Sequence, residues 1–293
     1  MSRPVTVTTI SLPEPTPCQS LNERIETALE YVDRALLFHP DLILLPESYP
    51  VYNGSEKVFS QALAMSDSIN RLVGEKARQG NCYILNTIPE RHDGRCCTTA
   101  FLLDRSGKVC FQYSKSHLAA FEQDLYGIVP GEQLPVYETD FGTVGIMICV
   151  ELHFPEIAGT LALKGARLLM MPTQAYGPSQ DLLMSLIRCR AFDNQVSIAV
   201  SNFSQEPYFP GKSIGRSCVV SVDGTILADT GNRSGVAACQ IDLEDQCLFD
   251  WGYTDQAGRL TERFPGWRSY IRQARRPRLY HPITASGREI NKD

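Results

Sequence analysis

This sequence of 293 residues lacks the features that mark membrane and secreted proteins. It has no apolar run near the roughly 18 residues that a membrane-spanning helix requires. Its first residues, MSRPVTVTTI, alternate polar and apolar side chains, so they do not build the apolar core of a signal peptide. We therefore expect a cytoplasmic protein with no membrane partner.

The chain also lacks an excess of positive charge. It has 28 Lys and Arg residues against 33 Asp and Glu residues, which gives a formal net charge of −5 and a pI near 5.6. Proteins that bind nucleic acid by neutralising phosphates need a basic surface. We expect no nucleic-acid partner.

Glycine-rich phosphate loops are missing as well. A dinucleotide-binding fold needs such a turn after its first strand, but Pro13-Glu14-Pro15-Thr16-Pro17 follows the first apolar run here. The tripeptide Gly211-Lys212-Ser213 lacks the preceding glycine of a phosphate-binding P-loop. Both patterns argue against a nucleotide-binding fold.

Cysteine, in contrast, is plentiful, with ten residues. They are scattered over a long chain, and the only close pair, Cys96 and Cys97, is adjacent, which is poor geometry for a structural bridge. Disulfide frameworks are typical of short secreted proteins. We predict reduced thiols, which agrees with a cytoplasmic location.

Short apolar, β-branched runs alternate with longer amphipathic stretches along the whole chain. The runs that predict β-strands are Val5–Leu12, Leu42–Leu45, Cys82–Thr87, Thr99–Leu103, Val109–Tyr113, Thr143–Ile148, Arg167–Met171, Val196–Ser201, Cys218–Val222, Thr225–Ala228 and Val236–Ile241. The stretches with apolar residues at helical spacing are Ser20–Phe38, Ser55–Gln79, Phe154–Lys164 and Ser179–Asn194. Hairpin turns are predicted at Arg105-Ser106-Gly107 and at Asp223-Gly224.

This mixture of crossovers and hairpins predicts an α/β fold in which two mixed sheets are flanked by helices. Several strands are apolar throughout, as expected where both faces of a sheet are covered. With no repeat and no low-complexity linker, we expect one domain, residues 1–264, followed by a tail, residues 265–293.

Cys149 is the most informative candidate for a catalytic residue. It ends the apolar run 145–148, and Pro155 and Glu156 suit the first turn of a following helix. A helix N-terminus favours a thiolate, and free N–H groups at a strand-to-helix turn can stabilise an oxyanion. These features predict a nucleophile that reacts faster than the other thiols. The alternative is a buried, inert cysteine.

Candidate partners for this nucleophile follow other strands. Glu47 follows an apolar strand, where burial would raise its pKa toward the range of a general base. Lys115 follows an alternating strand, and Glu122 lies a short distance further on. Thr173, like Glu47 and Cys149, ends an apolar strand, and sites in α/β sheets gather at such ends. Taken singly, each of these residues also suits a surface or capping role.

Taken together, three segments resemble the nitrilase superfamily of carbon–nitrogen hydrolases, in the order in which that family carries them. They are LLPE at 44–47, YSKSHL at 113–118 and GIMICVELHFPE at 145–156. Supporting matches are Gly165-Ala166-Arg167, Arg190-Ala191-Phe192-Asp193-Asn194, Ser221-Val222-Asp223-Gly224 and Arg276-Pro277-Arg278-Leu279-Tyr280. The resemblance therefore extends over nearly the whole chain.

The resemblance implies a four-layer α-β-β-α sandwich of two mixed β-sheets flanked by helices. It also implies assembly as a homodimer or larger homo-oligomer, with the tail 265–293 packing at an oligomer interface. The partner would be a small amide, N-carbamoyl or nitrile substrate. No metal and no organic cofactor is implied.

Site roles also follow from the resemblance. Glu47 would take the thiol proton and later activate water, while Cys149 would attack the carbon of a C–N bond. Lys115 and the backbone N–H of Val150 would hold the oxyanion. Glu122 matches the family's second glutamate, which orients the substrate and the Lys115 region. Ammonia leaves, a thioester forms, and water then releases the acid.

Two positions bear on the substrate. Family members that act on N-carbamoyl acids often place an arginine where His153 stands, so a carboxylated substrate is disfavoured. His153 would line the pocket or cap its helix. True nitrilases usually carry tryptophan at the position of Val150, so amide or N-carbamoyl hydrolysis is favoured over nitrile hydrolysis. We expect Thr173 to line the substrate site with these two residues.

Two rival interpretations remain. The stretch Gly211-Lys212-Ser213-Ile214-Gly215 matches a serine-hydrolase elbow, but that motif needs a strand before it and a helix after it. A non-catalytic binding scaffold of the same fold is the other. A scaffold of that kind would be expected to have lost a catalytic residue, but Glu47, Lys115 and Cys149 are all present.

Overall fold

A computed structural model describes residues 4–175, 179–205, 213–245 and 267–284. The strands in these ranges are β1 Val5–Ser11, β2 Leu42–Leu44, β3 Tyr83–His92, β4 Arg95–Leu103, β5 Val109–Ser114, β6 Val136–Thr139, β7 Gly142–Ile146, β8 Leu168–Pro172, β9 Ser197–Ser201, β10 Cys218–Val220, β11 Ile226–Asp229 and β12 Gly235–Ile241. The α-helices are α1 Leu21–Leu36, α2 Glu56–Ala64, α3 Ser66–Gly80, α4 Ala120–Tyr126, α5 Pro155–Leu163, α6 Gln180–Asn194, α7 Trp267–Ala274 and α8 His281–Thr284. Short 3-10 helices span Cys149–His153 and Pro277–Leu279.

The strands form two mixed six-stranded sheets. The first has the order β12-β1-β2-β3-β4-β5 and the second β11-β10-β9-β8-β7-β6. Strands β1, β2 and β3 are parallel to one another, as are β7, β8 and β9, whereas the outer strands pair antiparallel. Strand β1 pairs with β12 along its whole length, from Val5 opposite Ile241 to Ser11 opposite Gly235. The predicted combination of crossovers and hairpins is confirmed.

Both faces of each sheet are buried, which gives four layers. On β2, Leu42 and Leu44 point into the core between the sheets, while Ile43 points toward α1 and α3. On β8, Leu168 joins the core between the sheets and Leu169 packs toward α5 and α6. Successive side chains on a strand point to opposite faces, so each of these runs must be apolar throughout. The predicted α-β-β-α sandwich is confirmed.

Helix α1 shows how local sequence fixes an element. Ser20 Oγ accepts a hydrogen bond from the Glu23 N–H at 3.3 Å, and the Glu23 carboxylate accepts one from the Ser20 N–H at 2.7 Å. This reciprocal cap satisfies two of the donors that a helix N-terminus leaves free. Ile25, Ala28 and Val32 then bury one face of the helix against the first sheet.

Arg105 links the two sheets at the amino ends of β2 and β7. Its guanidinium donates to Asp140 in the β6–β7 turn (Nε to Oδ2, 2.6 Å) and to Asp41 just before β2 (Nη2 to Oδ1, 2.9 Å). It also donates to the carbonyl of Asn81. The two carboxylates raise the pKa of Arg105, Asp140 most strongly, so the guanidinium stays charged.

Several elements differ from the sequence prediction. The single helix expected over Ser55–Gln79 is two helices, α2 and α3, because the chain leaves the helical conformation at Met65 (φ −110°, ψ 11°). Strand β6 was not predicted, since it has four residues and only Thr139 is buried. Helix α4 is absent from the helices that the sequence predicts. The two predicted hairpin turns are confirmed by the antiparallel β4–β5 and β10–β11 pairs.

The chain divides into two compact units, Met1–Asp245 and Gln246–Asp293. The described part of the second unit contains α7 and α8. The domain boundary predicted after residue 264 lies outside the described residues. Within the described ranges, no helix has the length and apolar character needed to cross a membrane.

Candidate active site

A cavity of about 590 Å³ lies where β2 of the first sheet and β7 and β8 of the second reach their carboxyl ends. All seven residues that the sequence marked for a site line it. They are Glu47, Lys115, Glu122, Cys149, Val150, His153 and Thr173. Segments far apart in the chain meet here because parallel strands present their carboxyl ends at one edge of a sheet.

Lys115 lies between two carboxylates. Its Nζ donates to Glu47 Oε1 at 2.7 Å and to Glu122 Oε2 at 2.8 Å. All three side chains are buried, and Lys115 is only 2% exposed. Burial by itself would lower the pKa of Lys115, but the charges of Glu47 and Glu122 and the hydrogen bond to Glu122 outweigh it and raise the pKa. The ammonium is therefore a permanent positive charge in the cavity wall.

Glu122 is held from two sides. As the third residue of α4, it accepts a hydrogen bond from the Ala119 N–H at 2.7 Å, in the manner of a helix cap. Thr98 Oγ1 on β4 donates to its other oxygen at 3.4 Å. These contacts leave the Glu122 carboxylate one orientation, in which it faces Lys115.

Glu47 follows the apolar strand β2 by a short turn. Its second oxygen, Oε2, accepts from the Gln174 N–H at 3.1 Å, and the Gln174 side chain donates to the Glu47 carbonyl at 3.0 Å. The next residue, Ser48, has a φ of 46°. Burial raises the pKa of Glu47 and the charge of Glu122 adds to the rise, while Lys115 opposes it. A carboxylate with a raised pKa is suited to move a proton near neutral pH.

Cys149 occupies a strained turn between β7 and a 3-10 helix. Its φ of 52° lies in the left-handed region, which costs a residue with a Cβ about 1–2 kcal/mol. Ile148 before it is still extended, and the 3-10 helix spans Cys149–His153. The N–H groups of Cys149 and Val150 open that helix, where donors lack partners within the helix. The turn thus places a thiol beside hydrogen-bond donors.

The structure contradicts the prediction that Cys149 is a thiolate before substrate binds. Burial chiefly, and then the charge of Glu47, raise the pKa of the Cys149 thiol to about 12, although Lys115 and Thr173 lower it. The helix that follows is a short 3-10 helix, so it supplies little stabilising dipole. The thiol is therefore protonated at neutral pH. We do not expect Cys149 to react faster than the other thiols with a general thiol reagent.

The remaining three residues occupy different parts of the cavity. Val150 is half-buried and contributes its backbone N–H. His153, at the end of the 3-10 helix, is exposed at the rim. Thr173 follows β8 and is fully buried beside Cys149.

Glu151 joins the two catalytic segments, a function that the sequence motif did not reveal. Its Oε1 accepts from the Ser116 N–H at 2.8 Å, from Ser116 Oγ at 2.6 Å and from Tyr113 Oη at 2.5 Å. Its Oε2 accepts from the Ile148 N–H at 2.6 Å. The side chain is completely buried. A single carboxylate therefore fixes the Lys115 turn of one sheet against the Cys149 turn of the other.

Gln174 is a second residue that was missed. In the sequence, only its position after β8 indicated that Gln174 could be near the site; in the structure its N–H donates to Glu47.

Ser213, the serine of the alternative serine-hydrolase motif, has a structural hydrogen bond. Its Oγ donates to the carbonyl of Phe203 at 2.6 Å, and Gly211 and Lys212 lie outside the described residues. Within the described residues, no group of three His, Cys, Asp or Glu side chains could hold a metal ion.

The ionisation of Cys149 can be measured as ultraviolet thiolate absorbance, taken as the difference between the wild type and Cys149→Ala. We expect no Cys149 thiolate between about pH 6 and pH 9, because the neutral thiol is the stable form below its raised pKa. In Glu47→Gln the pKa should fall, since the charge that opposes the thiolate is removed. A thiolate signal at neutral pH in the wild type would contradict this assignment.

Replacement of Glu151 by Gln tests its positioning role. An amide cannot accept at both ends, so its NH₂ must face donors from Ser116 or Ile148. We expect kcat to fall by about tenfold or more with a smaller change in KM, and stability to fall by about 1–3 kcal/mol in urea unfolding. Glu138→Gln, on the exposed side of β6, is the matched control. An unchanged kcat in Glu151→Gln would rule out the positioning role.

Comparisons with known proteins identify the family of this chain. Residues 7–246 match the family model described as carbon-nitrogen hydrolase. The omega-amidase NIT2 of Xenopus tropicalis is 26% identical over 236 residues, which cover 76% of this chain and 84% of that protein.

Solved structures share the fold. An amidase from Nesterenkonia sp. aligns with a TM-score of 0.76 at 21% identity, over 95% of this chain and 96% of that one. A variant of that amidase carries the acetamide moiety of fluoroacetamide covalently at its active-site cysteine. Nit3 of Saccharomyces cerevisiae, a member of branch 10 of the nitrilase superfamily, aligns with a TM-score of 0.72 at 23% identity, over 83% of this chain and 91% of that one. From its sequence and the family model, which matches most of its length, this chain belongs to the carbon-nitrogen hydrolase family.

Proposed function

We propose that this enzyme hydrolyses small primary amides through a thioester on Cys149 and releases ammonia. One arrangement supports the proposal above all: the Lys115 ammonium, held by Glu47 and Glu122, lies in the same cavity wall as the Cys149 thiol. A base, a nucleophile and a fixed positive charge are the groups that acyl transfer needs. Amidases among the similar proteins agree with it.

The first step forms the bond between sulfur and the amide carbon. Glu47 accepts the thiol proton while Cys149 Sγ attacks, and the carbonyl electron pair moves onto oxygen. Lys115 and the Val150 N–H stabilise this oxyanion. Because the thiol pKa is high and the Glu47 pKa is raised, proton transfer accompanies attack and does not precede it.

The second step breaks the C–N bond. Glu47 returns its proton to the departing nitrogen, so that ammonia leaves and the acyl group remains as a thioester on Cys149. Glu47 then removes a proton from water, which attacks the thioester carbon. Collapse of this second intermediate breaks the C–S bond, releases the acid and returns the proton to the thiol. Lys115 keeps its proton throughout, which its raised pKa favours.

Glu122 orients this machinery and does not exchange protons in it. Its carboxylate is anchored by the Ala119 N–H and by Lys115, so it can hold the ammonium and present an acceptor to the substrate amide. A nitrile has no N–H for such an acceptor. Amide hydrolysis is therefore preferred over nitrile hydrolysis on the same residues.

Ammonia release from pooled primary amides, N-carbamoyl compounds and nitriles tests the proposal. We expect release from the amide pool, and Cys149→Ala should lower it by at least about a thousandfold, because the nucleophile is lost. The matched control is Cys189→Ala, which removes an exposed thiol on α6. Circular dichroism checks that each variant is folded. Release that survives in folded Cys149→Ala would overturn the role of this thiol.

We also propose a homodimer or larger homo-oligomer in the cytoplasm, with residues 265–293 at an interface between subunits. Phe154 and Leu163, at the two ends of α5, support an interface on this outer layer, since they are 38% and 41% exposed. The nine described cysteines are all free, as expected in a reducing compartment.

Sedimentation velocity at micromolar concentration measures the assembly. We expect a dimer or larger species for the full chain. A Phe154→Glu/Leu163→Glu double variant should shift the distribution toward monomer, because charge replaces exposed apolar surface. A monomeric full chain would contradict the proposal.

A further inference from the structure

Beyond the catalytic groups, much of the cavity wall is apolar and aromatic. The rings of Phe59 on α2 and Tyr126 on α4 stack with their centroids 4.7 Å apart. Leu183 and Leu186 on α6 and Ile128 after α4 add aliphatic surface. Walls of this kind recognise a ligand by removing its apolar surface from water.

No Lys or Arg among the described lining residues of the cavity is free to pair with a substrate carboxylate. Among the described lining residues, Glu47 and Glu122 carry negative charge and Lys115 is the only Lys or Arg. Both carboxylates already engage Lys115, at 2.7 and 2.8 Å. With the thiol neutral, these groups sum to one negative charge, so an anionic substrate would meet repulsion and an apolar wall.

We infer that the preferred substrates are primary amides whose acyl group is uncharged and apolar, aliphatic or aromatic, and not ω-monoamides of dicarboxylic acids. The inference rests on the proposed amidase function and specifies its substrate class. A cavity of about 590 Å³ is large enough for an acyl chain of several carbons beside the reacting carbonyl. Each added methylene in the chain should raise kcat/KM by about three- to fourfold until the cavity is filled.

A pair of substrates with the same shape and different charge tests the inference. The monoamide of glutaric acid and 5-methylhexanamide differ only in a carboxylate against an isopropyl group. We expect the wild-type enzyme to favour 5-methylhexanamide by at least about a hundredfold in kcat/KM. Acetamide, propanamide, butanamide and pentanamide provide the chain-length series. Equal or greater kcat/KM for the glutaric monoamide would overturn the inference while amidase activity itself stands.

A wall variant locates the acyl group. Leu186→Ser removes half-buried apolar surface of the cavity, so it should lower the kcat/KM ratio of 5-methylhexanamide to acetamide by about three- to tenfold. Leu37→Ser, directly after α1 and 78% exposed, lies outside the cavity lining and should leave that ratio unchanged. An unchanged ratio in Leu186→Ser would place the acyl group away from this wall and count against the inference. If no amide in the whole series releases ammonia, the proposed function fails, which is a different result from a reversed preference.

Discussion

The Lys115 ammonium lies buried between the carboxylates of Glu47 and Glu122, and the rest of the site depends on this charge arrangement. Burial of isolated charges is costly, so the arrangement is stable only while all three groups keep hydrogen-bonding distance. Glu47 comes from the end of β2, Lys115 from the end of β5 and Glu122 from α4. The first sheet must therefore be formed before the positive charge can be held. Once it is held, the charge restrains the Glu47 carboxylate, and in the proposed mechanism it stabilises the oxyanion.

The second sheet supplies Cys149, the proposed nucleophile, and hydrogen bonds outside the proposed reaction hold the two halves of the site together. Glu151 binds the turn after β5 to the turn after β7, and Gln174 binds the end of β8 to Glu47. Left-handed conformations at Cys149 and Ser48 lie on these same turns. Strain of this kind persists where surrounding contacts over-determine the backbone. The hydrogen bonds of Glu151 are such contacts for Cys149.

Much of the fold and the main site residues could be predicted from the sequence. Runs such as 42–45 are apolar because both sheet faces are buried, and the polar residue after each run therefore stands out. The function of Glu151 could not be predicted, because its partners Tyr113 and Ser116 lie on the other sheet. The thiol pKa at Cys149 depends in the same way on Glu47, which is distant in sequence. The break at Met65 could not be predicted either, because no proline or glycine marks that position in an otherwise continuous helical pattern.

The pairing of β1 with β12 constrains how the chain can fold as it is made. Strand β1 is complete once Ser11 has been synthesised, yet the neighbour that covers its outer edge ends at Ile241. Until that point the first sheet has an open edge whose N–H and C=O groups lack their native partners. Nascent chains emerge amino end first, so most of the polypeptide must leave the ribosome before the sheet that holds Glu47 and Lys115 is closed. A chain released from the ribosome before β12 is synthesised would lack the edge strand of the first sheet and its contribution to the core between the two sheets.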